Sequence, residues 1–570
     1  MIDQENLLQI NDLNVSFNTD EGSVQAVEKL CMSIKPAEIV GLVGESGSGK
    51  SVTAKAIMRM TARNAVVAKQ SQLLLQHQEQ SIDIMRLRGD GLKLVRGGVV
   101  SMIFQEPMAS FAPAITVGDQ IVQCIQIHLG YSREEARAEG IRLFDRVGIN
   151  EPEKRFDQYV YELSGGMRQR AMIAMALSSK PKLLIADEPT TALDVTIQAQ
   201  VLELLLELRE QTGMAMLFIT HDLGVISKVA DKVMVMQKGR VVESGSVKQV
   251  LYSPQHQYTK RLLDALPHLS DLPYAPERQS PIVKVEDVTI SYPQSGAGRN
   301  KQSFQAVKSI SLALPKGQII GLVGESGSGK TSLGKAILGA ASISEGQINY
   351  CGLNGDSSIV SNIVFGAKAK KVPRKALAKV AQMVFQDPHS SLNPRMTVRD
   401  IIAEPLEAMK LTRSRAETDQ RVIDIAKRCQ IDVTHLRRFP HAFSGGQRQR
   451  ISIARALICQ PQFIVADESV AALDVSTQAE ILSLFKQLRD DLGLTILFIS
   501  HDLSVIANLC DWVCVMRQGE LVEQGSVRQI FLTPQQQYTQ QLIAAIPLLD
   551  NHQKAIDTEQ SEVELLSAAG

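Results

Sequence analysis

Lys50 and Lys330 close two ten-residue tracts, GLVGESGSGK at 41–50 and 321–330, that are identical at every position. Ser51 and Thr331 follow them, so each tract satisfies G-x-x-x-x-G-K-[ST]. In that spacing Gly44, Gly47 and Gly49, and again Gly324, Gly327 and Gly329, let the backbone turn its N–H groups around phosphate oxygens. The helix that follows adds the positive end of its dipole. Ser46 and Ser48, with Ser326 and Ser328, complete the two loops. The ammonium of Lys50 or Lys330 then meets the β and γ phosphates, and the hydroxyl of Ser51 or Thr331 can ligate Mg2+. Glycine-rich turns are common, and one chance match in such a chain is expected about a few per cent of the time. Two, each after an apolar strand and before a helix, leave chance little room.

Other reactive residues recur about 280 residues apart. IADE and VADE end in paired acids, Asp187–Glu188 and Asp467–Glu468. The first acid suits a water-mediated hold on Mg2+, and the second suits a general base that polarises an attacking water. A strand-end acid pair alone is more often a solvated turn; its weight comes from lying downstream of a phosphate loop in both halves. SGGMRQR and SGGQRQR put Ser164, Gly165 and Gly166, and Ser444, Gly445 and Gly446, at a helix start. That is a second anion cradle. A plain cap on a basic helix explains one copy equally well, but not two, each 23 residues before its aspartate. HDL (His221, His501) and two Tyr-Thr pairs (Tyr258, Tyr538) extend the repeat.

Each half opens on alternating apolar residues, Leu13, Val15 and Phe17, then Val288, Ile290 and Tyr292. That period is a half-buried strand, in which both aromatics read as core. EIVGLVG and QIIGLVG are strands entering the loops; KLLIADE, FIVADE, MAMLFITHD and LTILFISHD are buried strands ending in reactive residues. Strands alternating with helical stretches predict an α/β fold with a mostly parallel sheet and ligands at the strands' carboxyl ends. Residues around 115–160 and 397–440 read as helical. The expected organisation is a domain at 1–266, a linker at 267–281 with four prolines, a domain at 282–549, and an acidic, disordered tail at 550–570.

Composition excludes several classes. Lys+Arg and Asp+Glu balance at 61 each, so there is no basic field for nucleic acid. The acidic start lacks the apolar stretch of a signal peptide, and the longest apolar runs fall far short of the roughly 18 residues that span a bilayer. Seven scattered cysteines read as reduced and mostly buried; Cys510 and Cys514 lack a second pair to complete a metal site. The basic run Lys368, Lys370, Lys371, Arg374, Lys375 and Lys379 reads as a solvated face, with contact to anionic lipid or a membrane subunit as its alternative.

Phosphate loop, Gln105 in FQEP or Gln386 in FQDP, SGGM or SGGQ, ADE, ALD and HD, in this order in both halves, resemble the ATP-binding-cassette family. The resemblance covers nearly all of both halves. It implies two tandem ATPase domains, each with a parallel core, an antiparallel β subdomain and a helical subdomain. It also implies ATP and Mg2+ as ligands. Ser164, Gly165 and Gly166 would close on the γ-phosphate held by Lys330, and Ser444, Gly445 and Gly446 on that held by Lys50, making an intramolecular head-to-tail dimer. Gln105 and Gln386 would touch Mg2+ and the attacking water, and His221 and His501 the γ-phosphate. Asp194 and Asp474 would lie at the seam. Phe17 and Tyr292 would stack on adenine, worth about 1–3 kcal/mol per base in comparable platforms.

FQEPMASF, FQDPHSSLNPRMTV, PQHQYTKRLLDALP and PQQQYTQQLIAAIP resemble the paired ATPases of the peptide/nickel importer family. The fused form, the QLLLQHQEQSIDIMRLRG insertion and ADESVAALDV look most like glutathione importers, with microcin-type peptide importers as the nearest competitor. The resemblance implies two transmembrane permeases, an extracytoplasmic solute-binding protein, and a peripheral place on the cytoplasmic face of the inner membrane. Opines and nickel are further solutes this branch suggests. Phe111-Ala112-Pro113 departs from the family-like Leu392-Asn393-Pro394, which puts coupling by the first half in doubt; Met167 replaces a glutamine, and Ser469 stands where Pro189 stands in the first half. The cysteine-rich tail of many relatives is missing, so no iron–sulfur cluster is expected. A soluble tandem cassette acting on ribosomes or DNA is the other class; the short, proline-rich linker and the neutral charge speak against it.

Overall fold

The computed structural model describes residues 5–19, 22–78, 80–190, 195–264, 272–274, 276–277, 279–293, 303–351, 363–367, 374–471 and 473–546. Asp194, residues 267–271, 275 and 278 of the 267–281 stretch, Lys368, Lys370, Lys371 and the 550–570 tail therefore lie outside the described residues. The chain divides into two compact units, Met1–Ala265 and Leu266–Gly570.

Unit 1 is built on a six-stranded sheet. Its order is Arg240–Ser246, Lys232–Gln237, Ile39–Val43, Ala215–Thr220, Leu183–Asp187 and Val100–Ile103. All neighbours are parallel except the first pair, whose tight turn makes a hairpin. Strands Ile39–Val43, Leu183–Asp187 and Ala215–Thr220 are buried at every residue, because both sheet faces are covered. Their apolar runs without alternation follow from that. A second, antiparallel sheet is formed by Gly22–Ile34, Leu8–Thr19, Gln72–His77 and Gln80–Asp83, with Ala65–Val67 also paired to Leu8–Thr19. Leu8, Leu13, Val15 and Val27 of that sheet share one apolar core with Leu42, Ala54 and Ile57 beside the phosphate loop. The loop is thus clamped between two sheets.

Unit 2 repeats the plan. Its six strands run Ala381–Val384, Phe463–Asp467, Thr495–Ile499, Ile319–Val323, Trp512–Arg517 and Glu520–Ser526, with only the last pair antiparallel. Its antiparallel sheet is Ser303–Pro315, Pro281–Pro293, Glu345–Tyr350 and Ile363–Gly366.

The intervening region is helical in each unit: Val117–Leu129 and Arg133–Arg146 in the first, Val398–Met409 and Arg415–Arg428 in the second. Thr116 and Thr397 cap the first helix of each pair, and Ser132 and Ser414 the second, each accepting from the N–H three residues on. No described helix is long and apolar enough to cross a membrane. The cysteines are free, but only Cys429, Cys510 and Cys514 are buried and Cys31 is exposed, so the expectation of mostly buried thiols is corrected. Burial pushes the Cys429 thiol up to about 12, where it is inert as a nucleophile.

Candidate active site

Gly44 and Gly49 show why the loop needs glycine. Their φ angles are 151° and 105°, and a Cβ would stand 2.2 Å from Met236 O and 2.5 Å from Ala26 O. Gly324 and Gly329 repeat both constraints against Met516 O and Ala306 O. The loop then enters helix Lys50–Ile57, or Lys330–Ile337 in unit 2. Lys50 is buried and its Nζ rests on Gly44 O at 2.6 Å, Glu45 O at 2.8 Å and Ser48 Oγ at 3.5 Å. Lys330 does the same with Gly324 O, Glu325 O and Ser328 Oγ at 2.8, 2.8 and 3.4 Å. These carbonyls hold the ammonium where a phosphate can take it over.

Strand ends converge on the loop. Ser51 Oγ donates to Asp187 Oδ1 at 3.0 Å, and Thr331 Oγ1 to Asp467 Oδ1 at 3.0 Å. Beside them Glu188 Oε2 accepts from Gln105 Nε2 at 2.9 Å, while Glu188 Oε1 lies 3.4 Å from His221 Nδ1. Glu468 sits 2.6 Å from Gln386 Nε2 and 3.2 Å from His501 Nδ1. So Ser51, Asp187, Glu188, Gln105 and His221 of unit 1 form one cluster with Lys50, and unit 2 has its counterpart.

Burial pushes the Asp187 and Asp467 carboxyls above the ordinary range, although the Ser51 and Thr331 hydroxyls oppose it. Burial also pushes Glu468 up, but the His501 hydrogen bond and charge outweigh it and leave Glu468 below its usual value. Desolvation pushes His221 and His501 down, yet the facing Glu188 and Glu468 hold both above the ordinary histidine value. A carboxylate gripped by an amide and an imidazole, beside a lysine and a phosphate cradle, is equipped to take a proton from water at a phosphoryl group.

Two features were not legible in the sequence. Glu188 and Glu468 hold left-handed backbone, φ 49° and 44°, strained for a non-glycine residue and confined to sites that over-determine it. Their N–H groups donate to Ile219 O and Ile499 O at 2.9 Å, which fixes that turn. Tyr258 Oη also accepts from Glu45 N–H at 3.1 Å, and Tyr538 Oη from Glu325 N–H at 3.3 Å. The repeat spacing of the Tyr-Thr pairs was the only signal for that contact.

The remaining expected residues take simpler places. Ser164 caps helix Gly165–Leu177 and Ser444 caps Gly445–Leu457, each accepting from the N–H three residues on. Ser164, Gly165, Ser444 and Gly445 are exposed, Gly166 is half-buried and Gly446 is buried. Asp474 caps helix Val475–Leu492 through Thr477 N–H at 3.0 Å. Phe17 is half-buried, and Tyr292 is 41 % exposed with its hydroxyl 3.3 Å from Ser332 Oγ on the loop helix. Neither is a core residue, contrary to the alternation argument. Among the described residues no three His, Cys, Asp or Glu side chains cluster as a metal site.

The ABC transporter family matches residues 27–191 and 307–471, together more than half of the chain. The oligopeptide/dipeptide transporter C-terminal region matches 242–284 and 522–569. The chain is 45 % identical over 541 residues to the peptidoglycan transport ATP-binding protein YejF of Agrobacterium fabrum, covering 95 % of this chain and 96 % of that one. It is 41 % identical over 577 residues to the glutathione import ATP-binding protein GsiA of Escherichia coli, covering 96 % and 91 %. A solved structure, the dimeric bacterial ABC transporter cassette MJ0796, is 27 % identical with a TM-score of 0.37, covering 43 % of this chain and 98 % of its own. Two ATP-hydrolysing cassettes, each followed by the peptide-transporter C-terminal region, place this chain in the ABC transporter family.

Proposed function

We propose that the chain is the ATP-hydrolysing subunit that energises import of a peptide-like solute through partner membrane permeases. The observation that carries this reading is the duplicated centre, complete in both units and followed in each by the oligopeptide/dipeptide transporter region. In each unit the lysine leaves its loop carbonyls for the β and γ phosphates. Glu188 or Glu468, held by its glutamine and histidine, takes a proton from the water that attacks the γ-phosphorus, and ADP leaves with the electron pair. Phe17 and Tyr292 stack on adenine.

The residues present fit Mg2+. A serine or threonine hydroxyl 3.0 Å from a buried carboxylate is a hard oxygen pair, with Gln105 or Gln386 nearby. Few protein ligands, completed by phosphate and water, are what Mg2+ takes. When bound, the ion offsets charge on the β and γ oxygens.

The exposure of Ser164, Gly165, Ser444 and Gly445 supports composite sites, Ser164 to Gly166 meeting the phosphate at Lys330 and Ser444 to Gly446 that at Lys50. ATP then draws the units together as a head-to-tail dimer, and hydrolysis removes the bridging charge. Asp194 and Asp474 would line the seam. The complex would comprise two permeases and an extracytoplasmic binding protein, with this chain peripheral on the cytoplasmic face. The domain boundaries proposed are 266/267 and 281/282.

Glutathione and short peptides are the solutes this reading favours, since its relatives are named for glutathione and peptidoglycan. The test is ATPase activity of the full complex in vesicles, with binding protein delivering glutathione, a muropeptide or nickel. Stimulation by one of the first two supports the reading. Stimulation by nickel alone, or co-purification with ribosomes instead of permeases, overturns it.

A further inference from the structure

Each unit holds its phosphate loop from outside the reacting centre. Tyr258 lies on helix Gln257–Asp264 and Tyr538 on Gln537–Ala544, and both are nearly buried. The N–H that each tyrosine holds, that of Glu45 or Glu325, belongs to the same peptide group as Gly44 O or Gly324 O. Those carbonyls are where Lys50 Nζ rests at 2.6 Å and Lys330 Nζ at 2.8 Å. A peptide group is a rigid plane. Turning it moves the N–H and the carbonyl together, so the acceptor on one edge fixes the lysine's resting place on the other.

The tyrosines are themselves anchored. The carboxylate of Glu243 accepts from the N–H groups of Gln255 and His256 at 2.7 and 3.2 Å, and Glu523 from Gln535 and Gln536 at 2.8 and 3.1 Å. These bonds tie the turn before each helix to the outermost strand of the parallel sheet. The anchors and tyrosines all fall within the two stretches matched as the peptide-transporter C-terminal region.

We propose that Tyr258 and Tyr538 are positioning residues, through which the C-terminal region of each unit sets how readily Lys50 and Lys330 pass from loop carbonyls to nucleotide. The proposal rests on the ATP-site reading. Without the hydroxyl the peptide plane rotates more freely, and binding must order it again.

The experiment uses the full chain with Tyr258→Phe and Tyr538→Phe, singly and together, titrated with a fluorescent ATP analogue and Mg2+. Expected is about 3- to 10-fold weaker binding at the altered site, the scale of one hydrogen bond, with turnover at saturating ATP within about twofold. Amide exchange across 44–50 or 324–330 should quicken while that of the adjoining strand stays unchanged; a merely structural role would loosen both. Unaltered affinity and loop exchange would overturn the proposal. Should the tyrosine variants not fold, Glu523→Ala decides: weaker binding supports the brace, and unchanged binding removes it. Wild-type protein that bound no nucleotide would remove the ATP-site reading as well, whereas normal wild-type binding beside unaffected variants removes the brace alone.

Discussion

In unit 1 the buried amide of Gln169 donates to the carbonyl of Pro189, which ties the signature helix to the strand end carrying Glu188. At the same place in unit 2, Gln449 Nε2 and Ser469 Oγ are both buried, and among the described residues neither has a hydrogen-bond partner. The reacting centres above these pairs differ far less. Lysine, hydroxyl, aspartate, glutamate, glutamine and histidine contacts recur in both units within a few tenths of an ångström. Between the two units the polar contacts of the centre are the same, while the support beneath them has diverged.

The helical regions diverge as well, with large and small side chains at different positions in the two units. Phe156 of unit 1 packs against Gly118 and Gly140, whose Cβ atoms would stand 2.2 and 2.5 Å from its ring, and meets Phe144 edge-on. Unit 2 has Leu436, Arg399, Val422 and Ala426 at the corresponding places. There Arg399 N donates to Leu436 O, and its guanidinium pairs with Asp400, Glu407 and Asp419. Large and small have been exchanged.

The largest expected effect tests the conserved part. Glu188→Gln plus Glu468→Gln should cut ATP hydrolysis about 10²- to 10⁴-fold, the usual contribution of a general base, while ATP stays bound. Because the two networks match, each single variant should cost a comparable share of turnover in a phosphate-release assay. Wild-type hydrolysis by the double variant would sink the base assignment, and one silent single variant would break the equivalence of the sites.

Next comes the exchanged packing. Gly140→Val drives methyl groups into the Phe156 ring, an overpacking cost of about 1–3 kcal/mol. Adding Phe156→Leu, the residue unit 2 uses, should recover part of the lost melting temperature. If the pair is no better than Gly140→Val alone, the volume exchange is not compensation.

The orphaned pair gives a smaller effect of opposed character. Gln169→Leu removes a donor from a buried carbonyl and should cost about 1–3 kcal/mol. Gln449→Leu removes an amide donor that already lacks a partner, so it should be close to neutral in the same thermal melt. Equal losses would show that the two amides do the same work.

Much of the centre was legible because it is local. The glycine spacing, Lys50–Ser51 and the Ser164 cap are fixed by residues a few positions apart. The mostly parallel sheet followed from short apolar strands alternating with helical stretches, whereas the antiparallel sheet was implied only by the family resemblance. The Gln105–Glu188–His221 grip spans 83 and 33 residues, so residue types alone could only suggest it through a family resemblance. The strained φ of Glu188 leaves no mark on the sequence. Alternation mistook Phe17 and Tyr292 for core, because the strand ends carrying them run past the apolar layer. The Ser469 departure is plain in the sequence, but its consequence depends on Gln449, twenty residues away and buried.

The smallest effect concerns the anchor of the first C-terminal region. Partial burial pushes the Glu243 carboxyl up, but the N–H groups of Gln255 and His256 more than offset this, so it titrates below its ordinary value of 4.5. A folded-state pKa below the unfolded one means the native state releases the proton more easily. The stabilisation is therefore fully present above about pH 4.5 and fades as pH falls through the lower, folded value. Glu243→Gln should narrow the stability difference between pH 6 and pH 4 in a thermal melt, with little change in slope at higher pH. Glu523 makes the same pair of backbone contacts on unit 2, so Glu523→Gln is the matched measurement. Where the Glu243 variant keeps the wild-type acid limb, the turn before Tyr258 is held by the packing of Tyr258 and Leu262 alone, and the two units are braced by apolar contact instead of by a charged cap.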